Sequence, residues 1–367
     1  MKKKLLERIK DIMYETRSDV SSLPLRMSLY VLSIVYGIII RARNMLYDAR
    51  ILKTSKIPCH VISVGNIIAG GTGKTPVTIM TAKMLKSAGY LVAVVSRGYK
   101  RKGGGNPLVV SDGSSIIVSP YEAGDEPHLI ASSLEGVPVV VGADRSKAAM
   151  LAFERFNPDV ILLDDALQHR RIYRDADIVT MDADNPPGSS YYLPRGLLRE
   201  SPYSLGRVKA VVITRLRQSH DFEEIEKKVK KYSGGISVFP SGISATGLRE
   251  TGSSVKMPID TVRGKKISAM SNIANPDSFY RILESYGAEI ILKNTMPDHH
   301  RYSQGELADI ERKTHDQGTE LIVMTAKDER NLPENYNAKL VKTLVLDIEA
   351  ELVGGTEKYI SLIMPNT

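Results

Sequence analysis

The chain has 367 residues, 42% hydrophobic and 25% charged, with a formal net charge of +8. That length and balance allow two ordinary domains with real cores and exclude a disordered chain. One cysteine, Cys59, excludes an intrachain disulfide framework and a Cys-rich metal site, and fits a reducing compartment.

Residues 1–53 carry eleven Lys/Arg against five Asp/Glu, a net of +6 and most of the total. A basic segment suits anionic lipid or nucleic acid, and its neighbours decide between them. Those neighbours are apolar: Met27–Ile40 reads MSLYVLSIVYGIII, with Arg26 before it and Arg41 and Arg43 after it. As a helix this stretch covers about 21 Å, short of the roughly 30 Å hydrocarbon core, which argues against a full span. Its late start and lack of a small-residue cleavage site argue against a signal peptide. Two readings remain. One is a helix lying in one leaflet, held by flanking cations. The other is a buried core helix of the first domain.

From residue 60 the pattern becomes strand, loop, helix, repeated. Strands are expected at His60–Val64, Leu91–Ser96, Pro138–Val141, Val160–Leu163, Ile178–Met181 and Ala210–Thr214, with helices such as Thr75–Ala88 and Ser146–Phe156 between them. This alternation predicts a parallel sheet with helices on both faces. The Gly/Ser-rich stretch 233–254 reads as a linker or crossover. A second α/β unit follows, with strands at Lys266–Met270, Glu289–Leu292, Glu320–Thr325 and Thr343–Leu346 and a helix at Pro276–Tyr286.

The strongest motif is Ala69-Gly70-Gly71-Thr72-Gly73-Lys74-Thr75, between a strand and a helix. A Gly-rich turn lets backbone N–H groups converge on phosphate oxygens, and the helix N-terminus adds partial positive charge. Lys74 can reach the β- and γ-phosphates of a nucleoside triphosphate, and the Thr75 hydroxyl can ligate Mg²⁺. The strict P-loop spacing would need Gly where Ile68 stands, so this is a variant loop.

Three acidic or His-bearing clusters accompany it. Val160–Leu163 ends in Asp164-Asp165, the form of a Walker B element. Asp164 follows the strand directly and is the better Mg²⁺ candidate; Asp165 binds through water or orients the loop. Gly124-Asp125-Glu126-Pro127 reads either as a helix cap or as a catalytic pair. Asp298-His299-His300-Arg301-Tyr302 has two adjacent His without a further ligand at helical spacing, so it reads first as a polar loop.

Taken in order, VGNIIAGGTGKTP (64–76), SRGY (96–99), GDEP (124–127), DDALQHR (164–170), LPRGLLRE (193–200), MPDHHRY (296–302) and TAKDERNL (325–332) resemble the tetraacyldisaccharide 4′-kinase family. The resemblance implies a P-loop NTPase-like α/β core plus a smaller α/β lobe joined by a β linker. Residues 1–53 would then be a membrane-associating part of the first lobe, 54–235 the kinase core and 236–367 the second lobe with its linker. It implies ATP and Mg²⁺ as cofactors and transfer of the γ-phosphoryl group to the 4′-hydroxyl of tetraacyldisaccharide 1-phosphate. The setting implied is the cytoplasmic face of a bacterial inner membrane. Its partners would be the lipid substrate and anionic lipids, with no nucleic acid and no obligate protein partner. Asp125 would be the general base, paired with His299, with Lys74 neutralising phosphoryl charge. Gly70, Gly71, Thr72, Gly73, Lys74, Thr75, Pro76 and Arg145 would hold the nucleotide, and Thr75, Asp164 and Asp165 the metal. Glu126, Gln168, His169, Arg199 and Glu200 match family positions near the site. Ala166, Leu167 and Lys100 depart from the family's usual Gly, aromatic and Gly. The rival reading is a membrane-associated P-loop ATPase or GTPase switch. For a GTPase it lacks an [NT]-K-x-D element: in Thr325-Ala326-Lys327-Asp328 the Lys comes one place late.

Overall fold

A computed structural model describes residues 2–14, 22–98, 101, 106–186, 191–216, 219–273, 275–297 and 300–364. Tyr99, Lys100, Asp298 and His299 lie outside the described residues. The chain forms two compact units: Met1–Ser96, Asp144–Gly242 and Leu352–Thr367 make the first, and Arg97–Ala143 and Ile243–Glu351 the second.

The elements in chain order are α1 (Lys2–Met13), α2 (Leu23–Asp48), β1 (His60–Gly65), α3 (Lys74–Ser87) and β2 (Val92–Ser96) in the first unit. The second unit then takes β3 (Leu108–Ser111), α4 (Pro120–Ala123), α5 (Asp125–Ser133) and β4 (Val139–Val141). The first resumes with α6 (Arg145–Phe156), β5 (Val160–Asp164), β6 (Ala176–Asp182), β7 (Ala210–Thr214), α7 (Phe222–Ser233) and the start of β8 (Ser237–Glu250). The second continues with β9 (Lys256–Met257), β10 (Lys266–Ser271), α8 (Pro276–Ser285), β11 (Glu289–Thr295), α9 (Gln304–Asp316), β12 (Leu321–Thr325), α10 (Ala326–Glu329) and β13 (Lys342–Leu352). Then α11 (Thr356–Ile363) returns to the first unit.

In the first unit β8, β7, β6, β1, β5 and β2 form one parallel sheet in that order. Its inner strands β5, β6 and β7 are buried along their whole length and β1 from Val61 onward, as a sheet covered on both faces requires. β1 lies between β5 and β6, so connections diverge from it to either side, where α/β sheets bind ligands.

Helix α2 starts where Pro24 suits a first turn and runs 26 residues, well beyond the apolar stretch. Leu29, Ser33, Gly37 and Ile40 are its buried residues, one stripe at helical spacing. A Cβ on Gly37 would come 2.8 Å from the Tyr192 ring, so glycine permits this close approach. Elsewhere the helix is bare: Met27, Val31, Leu32, Ile38 and Ile39 are each more than half exposed. That exposure does not suit the core-helix reading. By length and composition alone the helix could cross a bilayer.

In the second unit the sheet runs β11, β10, β12, β13, β8, parallel from β11 to β13, with β9 antiparallel to β8. One core includes Phe279, Tyr280 and Leu283 of α8, and another includes Leu307 and Ile310 of α9 with Tyr302. β3 and β4 form an antiparallel pair against which α5 packs, and α5 also packs on α10. The Gly/Ser-rich stretch read as a linker is mostly strand: β8 takes in Ser237–Glu250.

Candidate functional site

In the first unit the chain leaves β1 at Gly65 and enters α3 at Lys74. Gly73 is the helix N-cap at φ 75°, a left-handed conformation suited to glycine, and no side chain caps the helix. The first-turn N–H groups therefore lack intrahelical acceptors and remain suited to an anion. The loop is latched to the neighbouring strands. The Thr72 hydroxyl shares a hydrogen bond with that of Thr180 at 2.7 Å and accepts one from Asn66 Nδ2 at 3.0 Å. The Thr214 hydroxyl donates to the Thr72 carbonyl at 3.0 Å.

The segment 193–200 braces the other side of the loop. Ala69 N–H donates to the Leu197 carbonyl at 2.6 Å, and Arg199 N–H to the Ile67 carbonyl at 2.8 Å. Helix α2 touches the same segment through the Tyr36 hydroxyl, 3.2 Å from the Arg199 carbonyl.

The two adjacent acids have different surroundings. Asp164 is buried, and its oxygens accept from the Thr78 hydroxyl at 3.1 Å and the Ser96 hydroxyl at 3.0 Å. Asp165 has φ 46° and turns to cations: Lys74 Nζ stands 3.8 Å away and Arg199 3.2 Å. Burial pushes its pKa up, but Lys74, Arg199 and Arg145 outweigh that and hold it below the usual carboxylate value. Lys74, Asp165, Arg199 and Arg145 thus form one charge cluster beside the loop. Arg145, buried, is the first residue of α6 after the Asp144 cap.

The remaining predicted residues take supporting positions. Gln168 donates to the Asn66 carbonyl at 2.8 Å. His169 is pushed down to about 4 by burial and then by Arg145, so it is neutral at pH 7. Glu200 is fully buried and held by Arg207 at 2.7 Å and Arg43 at 3.5 Å, which makes it an anchor of the bracing segment. Thr75 and Pro76 are half-buried in the first turn of α3, behind Gly70 and Gly71.

In the second unit Gly124, at φ 92°, takes the N-cap place and Asp125 opens α5. Asp125 is therefore inside the first turn rather than capping it. It is buried, with Glu126 half-buried beside it. Arg301 reaches to 3.9 Å from the Asp125 carboxylate and lies over the Tyr121 ring, 4.9 Å from its centroid. One turn along α5, His128 is pushed down to about 4 by burial and by the nearby Arg330 charge, with Glu329 and Asp125 opposing. His300, next to the undescribed His299, sits 3.2 Å from Glu306.

Sequence reading gave Arg301, Tyr302 and Asp328 no separate roles. Asp328 is fully buried and accepts from the Tyr302 hydroxyl at 2.7 Å. Burial raises its pKa to about 6 against hydrogen bonds from Thr325, Tyr302 and Asn272. The available signal was Thr325-x-x-Asp328 after an apolar strand, the spacing of a capping box. Among the described residues no group of three or more His, Cys, Asp or Glu is placed to hold a metal by itself.

A family profile for tetraacyldisaccharide-1-P 4′-kinase matches residues 25–365. A tetraacyldisaccharide 4′-kinase from Syntrophus aciditrophicus is 42% identical over 318 residues, 84% of this chain and 85% of the relative. One from Halothermothrix orenii is 37% identical over 348 residues, 90% of each chain. A crystal structure of the "apo" form of LpxK from Aquifex aeolicus in complex with ATP superposes with a TM-score of 0.73. It is 32% identical and covers 92% of this chain and 98% of that one.

Proposed function

The chain belongs to the tetraacyldisaccharide-1-P 4′-kinase family, and from that premise we propose how its residues divide the work of phosphorylating a lipid-linked disaccharide. The reaction moves the γ-phosphoryl group of ATP to the 4′-hydroxyl of tetraacyldisaccharide 1-phosphate, as in lipid A biosynthesis. The observation that carries the assignment of roles is the cluster of Lys74, Asp165, Arg199 and Arg145 beside an uncapped helix N-terminus. Three cations beside backbone N–H donors suit a triphosphate and the charge that spreads over a transferring phosphoryl group.

ATP lies along Gly70–Pro76, with Lys74 on the β- and γ-phosphates. The side chains also fit a hard divalent cation, because the Thr75 hydroxyl and the Asp164 and Asp165 carboxylates are all oxygen donors. Mg²⁺ held there would neutralise phosphate charge. Asp125 takes the proton of the 4′-hydroxyl, which is a poor nucleophile until a base begins to remove it. His299 would share that proton, with Glu126 next to Asp125 in the second unit, while Gln168 and His169 belong with the nucleotide loop in the first. Arg199 acts from the bracing segment, which Glu200 anchors.

The bare face of α2 lies in the cytoplasmic leaflet of the inner membrane. Its stripe from Leu29 to Ile40 is occupied by the body of the protein over about 16 Å, so lipid cannot surround it there. Flanking cations then meet anionic headgroups.

The test is transfer from γ-labelled ATP to tetraacyldisaccharide 1-phosphate in detergent with Mg²⁺, comparing parent with Asp125→Ala. Labelled lipid from the parent and a loss of about 10²-fold or more in the variant are expected. Steady lipid-independent hydrolysis with no labelled lipid would instead establish the switch reading.

A further inference from the structure

Asp328 has no solvent exposure, yet it accepts hydrogen bonds from the Tyr302 hydroxyl at 2.7 Å, Asn272 N–H at 2.8 Å, Thr325 N–H at 3.2 Å and the Thr325 hydroxyl. A buried carboxylate is costly unless its acceptor sites are filled, and here they are. Part of this is a capping box with Thr325 for α10. A four-residue helix does not by itself call for a buried charge, because a capping carboxylate works equally well in water.

The other partners lead to a different segment. Tyr302 is one of them. Asn272 is another, and its Nδ2 donates to the His300 carbonyl at 2.8 Å. Tyr302 N–H also donates to the Asn331 carbonyl at 3.1 Å, and Asn331 N–H to the Asp328 carbonyl at 2.9 Å. Residues 300 and 302 are thus both tied back to Asp328. Between them stands Arg301, which reaches Asp125 across the Tyr121 ring. All these residues belong to the second unit.

We propose that Asp328 is a positioning residue for phosphoryl transfer: it fixes residues 300–302 so that Arg301 is held against the Asp125 carboxylate and keeps that carboxylate in one orientation. The inference rests on the reading of Asp125 as the base. It extends that reading to a side chain that touches neither substrate nor nucleotide. A group that orients a base acts on turnover rather than on nucleotide affinity, since Lys74 and its loop belong to the first unit.

The experiment uses the full chain in detergent micelles, with Asp328→Asn, Arg301→Ala and the double variant. Three quantities are read: kcat and KM for ATP, the thermal midpoint, and amide hydrogen exchange in peptides covering 300–303 and 66–76. Asp328→Asn is expected to lower kcat about 10- to 100-fold, as misplacement of a catalytic group does, with KM for ATP within about threefold of the parent. Exchange should quicken at 300–303 and stay unchanged at 66–76. Added to Arg301→Ala, it should cost less than about threefold more, because both act through one contact. Fully multiplicative losses, unchanged exchange at 300–303, or a loss of activity that only tracks the unfolded fraction would each overturn the proposal. Should Asp328→Asn fail to fold, Tyr302→Phe cuts one link alone: a kcat-only loss supports positioning, and a folded variant with parental kcat overturns it. If the parent transfers no phosphate, the kinase reading fails, while the exchange data still decide whether Asp328 fixes the segment.

Discussion

Replacing Gly65 by Ala puts the tie between β1 and the Asp164–Asp165 loop under direct strain. A Cβ built there would lie 2.5 Å from Leu167 Cβ and 2.8 Å from the Leu167 backbone nitrogen. Carbon atoms settle at about 3.5–4.0 Å, so the chain at Leu167 would have to retreat by about 1 Å. No rotamer change relieves a clash with backbone. Leu167 is itself fully buried among Ile67, Val179, Met181 and Ile213, which leaves little room for the retreat. Overpacking of this kind costs about 1–3 kcal/mol. At about 2–4 °C per kcal/mol for a unit of this size, the thermal midpoint should fall by about 2–12 °C. The displaced turn carries Asp165 and Gln168, and a misplacement of about 1 Å in a catalytic arrangement costs on the order of 10²-fold in rate. The assay is labelled-phosphate transfer alongside a melting curve in the same detergent. A Gly65→Ala protein that melts within about 1 °C of the parent and turns over at the parental rate would refute this account of the turn.

Acid should weaken the fold through His128. Its folded pKa of about 4 lies below the unfolded value of about 6.5 because burial and Arg330 disfavour the cation. Between those values the unfolded chain binds a proton that the folded chain refuses, so stability falls as pH drops through that window. His128→Gln should flatten the decline of urea midpoints between pH 6.5 and 4.5; identical slopes in both proteins would contradict the assignment. On α2, Val31→Asn with Ile38→Asn removes two side chains that are more than half exposed. Each is worth about 1 kcal/mol to membrane burial, so co-sedimentation with anionic phosphatidylglycerol vesicles should weaken roughly 10-fold or more. An unchanged bound fraction would show that this face does not enter the bilayer.

What could be read from the chain was what local pattern encodes. The runs at His60–Gly65, Val160–Asp164 and Ala210–Thr214 are short, apolar and β-branched, and each is a strand. The turn from β1 into α3 was legible because glycines at close spacing carry their geometry with them, and Gly73 takes the left-handed N-cap place. The Gly/Ser-rich stretch does pass from one unit to the other, but as a strand rather than a loop: its composition favours loops, while its strand character comes from partners that local pattern does not show, β7 earlier in the chain and β13 about a hundred positions later. The places of Arg301 and Asp328 were illegible for a similar reason. Arg301 meets an acid 176 positions earlier, and no periodicity announces such a meeting. The two neighbouring Asp could be told apart by their place relative to the strand, but not the positive φ that turns Asp165 toward Lys74 and Arg199.

Helix α3 is closed by the last element of the described chain, α11. Tyr359 of α11 is wholly buried, shares a hydrogen bond with Thr81 of α3 at 2.8 Å, and sets its ring edge-on to Phe239 at 5.2 Å. Thr81 and Tyr359 are 278 positions apart. A ribosome adding about 5–20 residues per second takes roughly 15–60 s to make that interval. Throughout it α2, with its bare apolar face, has already been made. With α2 in the membrane role proposed for it, the growing polypeptide would have tens of seconds to meet a bilayer before the packing around α3 is complete, and a chain cut short before Thr356 would keep the bare apolar helix without ever finishing the other.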